Sequence, residues 1–285
     1  TIQLPEKDLK EANEVAVFVR NLTAELLAKD SNLEVRLTGV IMMNNAFGEQ
    51  GEADLATLVP AMFLVVLIVL GIMLRSISLT FSTLLVIMFS ILGAIGLALW
   101  TKLELNTMSL TAPTIIMTMA VADAVHLLSS YLGYGKQGMQ KHAAMVESLR
   151  VNMMPIFLTS LTTALGFLSM NFSEVPPINH LGNIVAIGVA FAFILSVTFL
   201  PAIAILMPFK VSTTKQASAT KLDNFADFVI EKRKPLLWAS LAVSLAFITF
   251  VPKNEINDDF VRYFHESIEF RQHTDYASEN LVGPY

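Results

Sequence analysis

The chain has 285 residues, a net charge of −5, 54% hydrophobic and only 15% charged residues, and a mean hydropathy of +0.60. That is more apolar material than a water-soluble core requires. Cysteine is absent, which excludes disulfide frameworks, thiolate catalysis and cysteine-ligated metals. The lysines and arginines lie beside apolar blocks instead of forming a basic patch interleaved with aromatics, which argues against nucleic-acid binding.

Taken in order, Asp8–Lys29 carries Leu9, Ala12, Val15, Ala16, Val19, Leu22, Leu26 and Leu27 at helical spacing. An alternating run, Glu34-Val35-Arg36-Leu37-Thr38, follows and ends at Gly39. This pairing predicts a helix and then a strand, the end of an α/β domain. Glu49–Ala61 predicts a helix that leads straight into the first apolar block.

Six apolar blocks follow, near Thr57–Leu74, Leu79–Trp100, Leu105–Leu132, Val151–Phe172, Asn183–Met207 and Pro235–Val251. Crossing the hydrocarbon layer takes about 20 helical residues, so these predict six transmembrane helices. Between the third and fourth, Lys136–Arg150 mixes Met139, Ala143, Ala144, Met145 and Leu149 with Lys141, His142, Glu147 and Arg150. This predicts a separate connecting helix at the membrane surface. Lys210–Lys221 is rich in Ser, Thr, Ala and Lys without an apolar period and reads as a flexible joint.

The expected fold class is therefore a polytopic α-helical membrane protein, with six transmembrane helices plus the edges of extracytoplasmic α/β domains. The expected division is 1–50 for the end of a first extracytoplasmic domain, 51–208 for a five-helix membrane unit, and 209–233 for a cytoplasmic linker. Residues 234–252 form the first helix of a second membrane unit, and 253–285 start a second extracytoplasmic domain. The start at Thr1 and the polar end at Gly283-Pro284-Tyr285 read as an internal piece of a longer chain.

Charge sets the orientation. Arg75, Lys136, Lys141, Arg150, Lys210, Lys215, Lys221, Lys232, Arg233 and Lys234 occupy one alternate set of connections. The other set holds Lys102, Lys253 and Arg262. Basic residues collect on the cytoplasmic side of membrane proteins, so both ends of the chain are expected outside the cytoplasm.

One segment puts ionisable groups inside an apolar block: Ala122-Asp123-Ala124-Val125-His126-Leu127, with Ser130 just beyond. A carboxylate at the bilayer centre costs about 2.5–3.5 kcal/mol on insertion scales, so Asp123 must face protein or water. Asp123, His126 and Ser130 are spaced to share one helical face. A carboxyl and an imidazole together suit loading and release of a proton; the alternative is that they merely satisfy each other. His180 lies at a membrane edge and His142 in a cytoplasmic connection, so neither completes a metal site with His126, and no metal or other cofactor is expected.

In the fourth block Thr159, Thr162, Thr163 and Gly166 share a face that either packs helices together through interhelical hydrogen bonds or contacts substrate, with the subsidiary reading that one hydroxyl bonds the Asp123 carboxyl in support of the relay. Gly93, Gly96, Gly182 and Gly188 allow close helix approach. There is no nucleophile elbow, metal cluster or phosphate loop, so an enzyme is not expected.

This layout resembles the resistance-nodulation-division superfamily. Ala122–Leu127 is similar to its acidic motif, and Leu158-Thr159-Ser160-Leu161-Thr162-Thr163-Ala164-Leu165-Gly166-Phe167 to the run in its next span. Asn257-Asp258-Asp259-Phe260-Val261-Arg262-Tyr263-Phe264, followed by Phe270-Arg271, is similar to lipid-exporter-like members of the mycobacterial membrane protein large group. Sterol-sensing proteins share the five-span core. Drug-efflux members commonly show two adjacent acids where this chain has Asp123-Ala124, which favours a lipid exporter.

The resemblance implies a proton-driven transporter of the bacterial inner membrane that exports a hydrophobic or amphipathic substrate. Asp123 and His126 would relay the proton, with Ser130, Thr159, Thr162 and Thr163 in support. Implied partners are membrane lipids, protons, further copies in a homo-oligomer (dimer or trimer) and a periplasmic partner protein. The rival readings are a lipid- or sterol-sensing module without transport, and an accessory subunit of a secretion complex.

Overall fold

The computed structural model describes residues 9–30, 32–103, 105–106, 108–207, 220–254 and 259–281, with side chains left out for 9–12 and 220–223. Most of the expected flexible joint, including Lys210 and Lys215, lies outside the described residues. So do Asn257 and Asp258 of the expected domain start, and Gly283-Pro284-Tyr285.

The helices are α1 (Leu9–Lys29), α2 (Val40–Leu74), α3 (Ile77–Trp100), α4 (Ala112–Lys136), α5 (Lys141–Leu168), α6 (Pro176–Val197), α7 (Phe199–Leu206), α8 (Thr220–Glu231), α9 (Arg233–Ile248) and α10 (Glu269–Asn280). Six stretches among the described residues are long and apolar enough to cross a membrane: Val40–Leu74, Ile77–Trp100, Ser109–Lys136, Lys141–Phe172, Pro176–Leu206 and Arg233–Lys253. Helices satisfy every backbone polar group internally, which is what a hydrocarbon environment demands.

Two compact units emerge, described in turn: Thr1–Val35 with Val40–Ser212, and Arg36–Gly39 with Thr213–Tyr285. In the first, α3, α4, α5 and α6 pack pairwise around α4 and α6. Their shared core contains Val86, Ile87, Ile116, Met117, Leu127, Leu128, Ile156, Val185 and Val189. Outside the apolar part of α2, Arg20 of α1 forms an ion pair with Glu49.

Small residues set how closely these helices approach. A side chain at Gly182 would overlap the carbonyl oxygen of Phe167, and one at Gly188 would overlap Ile116. At Gly93 a methyl would sit 3.2 Å from the Phe191 ring, whereas nothing lies within 4 Å of such a methyl at Gly96 or Gly166.

Three boundaries differ from expectation. The segment expected as a separate connecting helix is continuous with the fourth span, since α5 runs unbroken from Lys141 through Pro155 to Leu168. Pro155 removes one backbone donor; the Thr159 hydroxyl donates to the Pro155 carbonyl at 3.0 Å. The end of the expected linker is helical as α8, where Phe225, Phe228 and Val229 recur at helical spacing. The fifth span is interrupted at Thr198, whose hydroxyl donates to Ile194 O at 2.6 Å, just ahead of Pro201.

The run 34–38 forms no strand among the described residues. A period of two needs a neighbouring strand to complete its ladder. In the second unit, Arg36, Leu37 and Thr38 instead meet α10. The Leu37 N–H donates to His273 Nδ1 at 3.1 Å, Thr38 Oγ1 shares a 2.8 Å hydrogen bond with Thr274 Oγ1, and the Arg36 guanidinium lies 3.9 Å from the Tyr276 ring centroid. Beside them Arg271 Nε donates to Asp275 Oδ2 at 2.5 Å and Arg271 donates to Val261 O at 3.2 Å.

Candidate functional site

The site is built from α4 outward. Its packed face carries Ile116, Met117, Ala120, Asp123, Ala124, Leu127, Leu128 and Tyr131, residues that recur every three or four positions. Ala120 and Ala124 flank Asp123 and let neighbouring helices approach closely. Asp123 is only 2% exposed, and no other buried Asp, Glu, Lys, Arg or His occurs among the described residues.

What reaches Asp123 comes from α5. Ser160 is itself buried, and its hydroxyl donates to Asp123 Oδ2 at 3.4 Å. Ser160 closes a stripe on α5 with Ser148, Asn152 and Ile156 at four-residue spacing. Within that stripe, the Ser148 hydroxyl donates to the Leu127 carbonyl of α4 at 2.6 Å, and Asn152 Nδ2 donates to Ser148 O at 2.8 Å. The buried hydroxyls of α3 turn inward on their own helix: Thr83 donates to Leu79 O at 3.0 Å and Ser90 to Val86 O at 2.7 Å.

The expected relay set is only partly brought together. Asp123 is buried, Ser130 is half-buried and His126 is exposed. A step of three residues turns the helix to a position about 60° from Asp123, on the side away from Ala124 and Leu127. The arrangement therefore separates the imidazole from the packed side of the carboxyl.

The threonine face lies elsewhere too. Thr159 and Thr162 are exposed and Thr163 half-buried. Thr159 donates to Ile156 O at 2.9 Å, and Thr162 to Leu158 O at 2.8 Å. The hydroxyl that reaches Asp123 is thus Ser160, not one of these three. The signal for it was the four-residue spacing of Ser148, Asn152, Ile156 and Ser160, which marks a second, largely polar stripe on the same helix.

No group of three or more His, Asp or Glu among the described residues could hold a metal ion. Chemically, the site offers, among the described residues, one buried carboxyl with a single neutral donor and a surrounding apolar wall, an arrangement suited to binding one proton reversibly.

Comparison with known proteins agrees with this architecture. The MMPL family profile matches residues 1–246. The hopanoid transporter HpnN of Rhodopseudomonas palustris (strain TIE-1) is 28% identical over 189 residues, covering 65% of this chain and 21% of that protein. A putative membrane protein, MJ1562, of Methanocaldococcus jannaschii is 25% identical over 114 residues, covering 40% of this chain and 29% of its own length. The chain thus spans well under two thirds of either relative. The family profile runs from α1 through the bundle and into α9, and on that match the chain belongs to the MMPL family.

Proposed function

We propose that this chain is part of a proton-driven secondary transporter of the resistance-nodulation-division type, exporting a lipid or another amphipathic molecule, and that Asp123 is its proton-binding group. The observation that carries this reading is a buried carboxyl in the middle of a membrane-length helix, with no other buried carboxyl among the described residues. Such a group is costly to keep unless it serves a function. The similarity to a protein named as a hopanoid transporter supports a lipid substrate.

In this reading Asp123 takes a proton from the extracytoplasmic side and releases it toward the cytoplasm. Each charge moved across the membrane is worth about 2.3 kcal/mol per 100 mV. That is enough to favour one packing of the bundle over another and to drive the extracytoplasmic domains. His126 acts from its exposed flank as a secondary group that tunes proton access.

The test is the full-length protein in liposomes, wild type against Asp123→Asn, with proton flux and lipid export followed together. The expected result is loss of both by on the order of tenfold or more. Retention of both removes Asp123 from the mechanism and leaves lipid sensing or an accessory role.

A further inference from the structure

We propose that Ser160 is a positioning residue for Asp123, and that α5 is the helix through which the protonation state of that carboxyl is felt. This rests on Asp123 being the proton-binding group.

Four helices pack on α4 along its span: α2, α3, α5 and α6. Among the described residues only α5 extends a side chain to the carboxyl, through the Ser160 hydroxyl. The buried hydroxyls Thr83 and Ser90 of α3 are committed to their own backbone. No acidic or basic side chain is buried on α2, α3, α5 or α6 among the described residues, and Glu49, Glu52 and Asp54 of α2 all lie before its apolar part. The ionisable residues of α5 (Lys141, His142, Glu147 and Arg150) lie in its first turns, His180 begins α6, and His126 is on the exposed flank of α4. Among the described residues the charge on Asp123 therefore meets one neutral donor and no buried competing ion.

That donor distinguishes the two states of the carboxyl. A carboxylate only accepts, and draws the Ser160 O–H toward it. A carboxylic acid accepts more weakly and carries an O–H of its own, which can donate back to Ser160 Oγ. Binding a proton thus weakens or reverses the link between α4 and α5 at this point.

The stretch of α5 around Ser160 is built to yield. Pro155 leaves one helical carbonyl without its usual partner, and Thr159 and Thr162 turn their hydroxyls onto carbonyls of their own helix, a pattern that bends helices. Beyond it, the Phe167 carbonyl rests directly against Gly182 at the start of α6. A change at Ser160 accordingly has a soft segment to act on and a hard contact to push against.

The experiment uses the full-length protein in membranes. Infrared difference spectra are recorded between acidic and alkaline pH for wild type, Asp123→Asn, Ser160→Ala and Ser160→Thr, alongside the pH profile of lipid export. The expected result is a titrating carboxyl band that is absent in Asp123→Asn. In Ser160→Ala it persists at a shifted frequency with a displaced export profile, and Ser160→Thr restores both. An unshifted band and an unchanged profile in Ser160→Ala overturn the role of Ser160 and leave Asp123 in place. A titrating band that survives in Asp123→Asn overturns the proton-carrier reading itself, and this proposal with it.

Discussion

Gly182 at the start of α6 lies directly against the carbonyl oxygen of Phe167 near the end of α5, with Met170 Cβ 2.9 Å from where a methyl would stand. Backbone cannot rotate out of the way as a side chain can. Gly182→Ala is therefore expected to destabilise the bundle by about 1–3 kcal/mol. Gly188→Ala meets only the Ile116 side chain and should cost less. Gly96→Ala and Gly166→Ala meet nothing within 4 Å and should be near neutral. Thermal unfolding of the four variants in one detergent checks the order.

Ser148 ties α5 to the α4 backbone by its bond to Leu127 O. Interhelical hydrogen bonds in membranes are worth about 0.6 kcal/mol on average. Ser148→Ala should lower stability by about that much and leave the pH profile of transport in place, unlike Ser160→Ala. Measuring both quantities for both variants separates a packing bond from a proton-sensing one.

Asp123 and His126 differ in burial, and their substitutions should differ in effect. His126→Gln is expected to reduce proton-coupled export a few-fold, against on the order of tenfold or more for Asp123→Asn. Equal losses in a liposome assay would show that the imidazole is as essential as the carboxyl.

The Leu37 backbone N–H donates to His273 Nδ1 of α10, and Arg36 beside it stacks on Tyr276. Losing that acceptor frees the amide, so exchange at Leu37 is expected to be faster in His273→Ala than in the wild type when both are measured at one fixed pH.

Much of this architecture is legible in the residues because apolar length is a blunt and reliable signal. The predicted helix over 8–29 is α1, and each of the six apolar blocks coincides with a membrane-length helix. Asp123 is legible as buried because hydrocarbon admits a carboxylate only where protein or water receives it.

What was not legible depends on neighbours. Two polar stripes run along α5, one with Thr159 and Thr162 and one with Ser148, Asn152 and Ser160. Periodicity places each stripe without saying which faces α4. His126 lies within one helical step of Asp123, close enough that spacing alone does not separate the buried flank from the open one. The alternation in 34–38 names a strand only if a partner strand is present, and here α10 supplies side chains in its place. Pro155 signals a helix end in water, yet the apolar flanks and the Thr159 bond carry α5 through it.

The continuity of α5 has a mechanical meaning. At 1.5 Å per residue its 28 residues form a rod of about 42 Å, longer than the hydrocarbon layer is thick. The turn holding Gly138, whose φ is +90°, lies before the rod begins. His142 and Glu147 therefore share one continuous helix with Ser160, across the soft turn at Pro155, and a reporter attached near either tells whether a change at Ser160 crosses that turn or is absorbed by it.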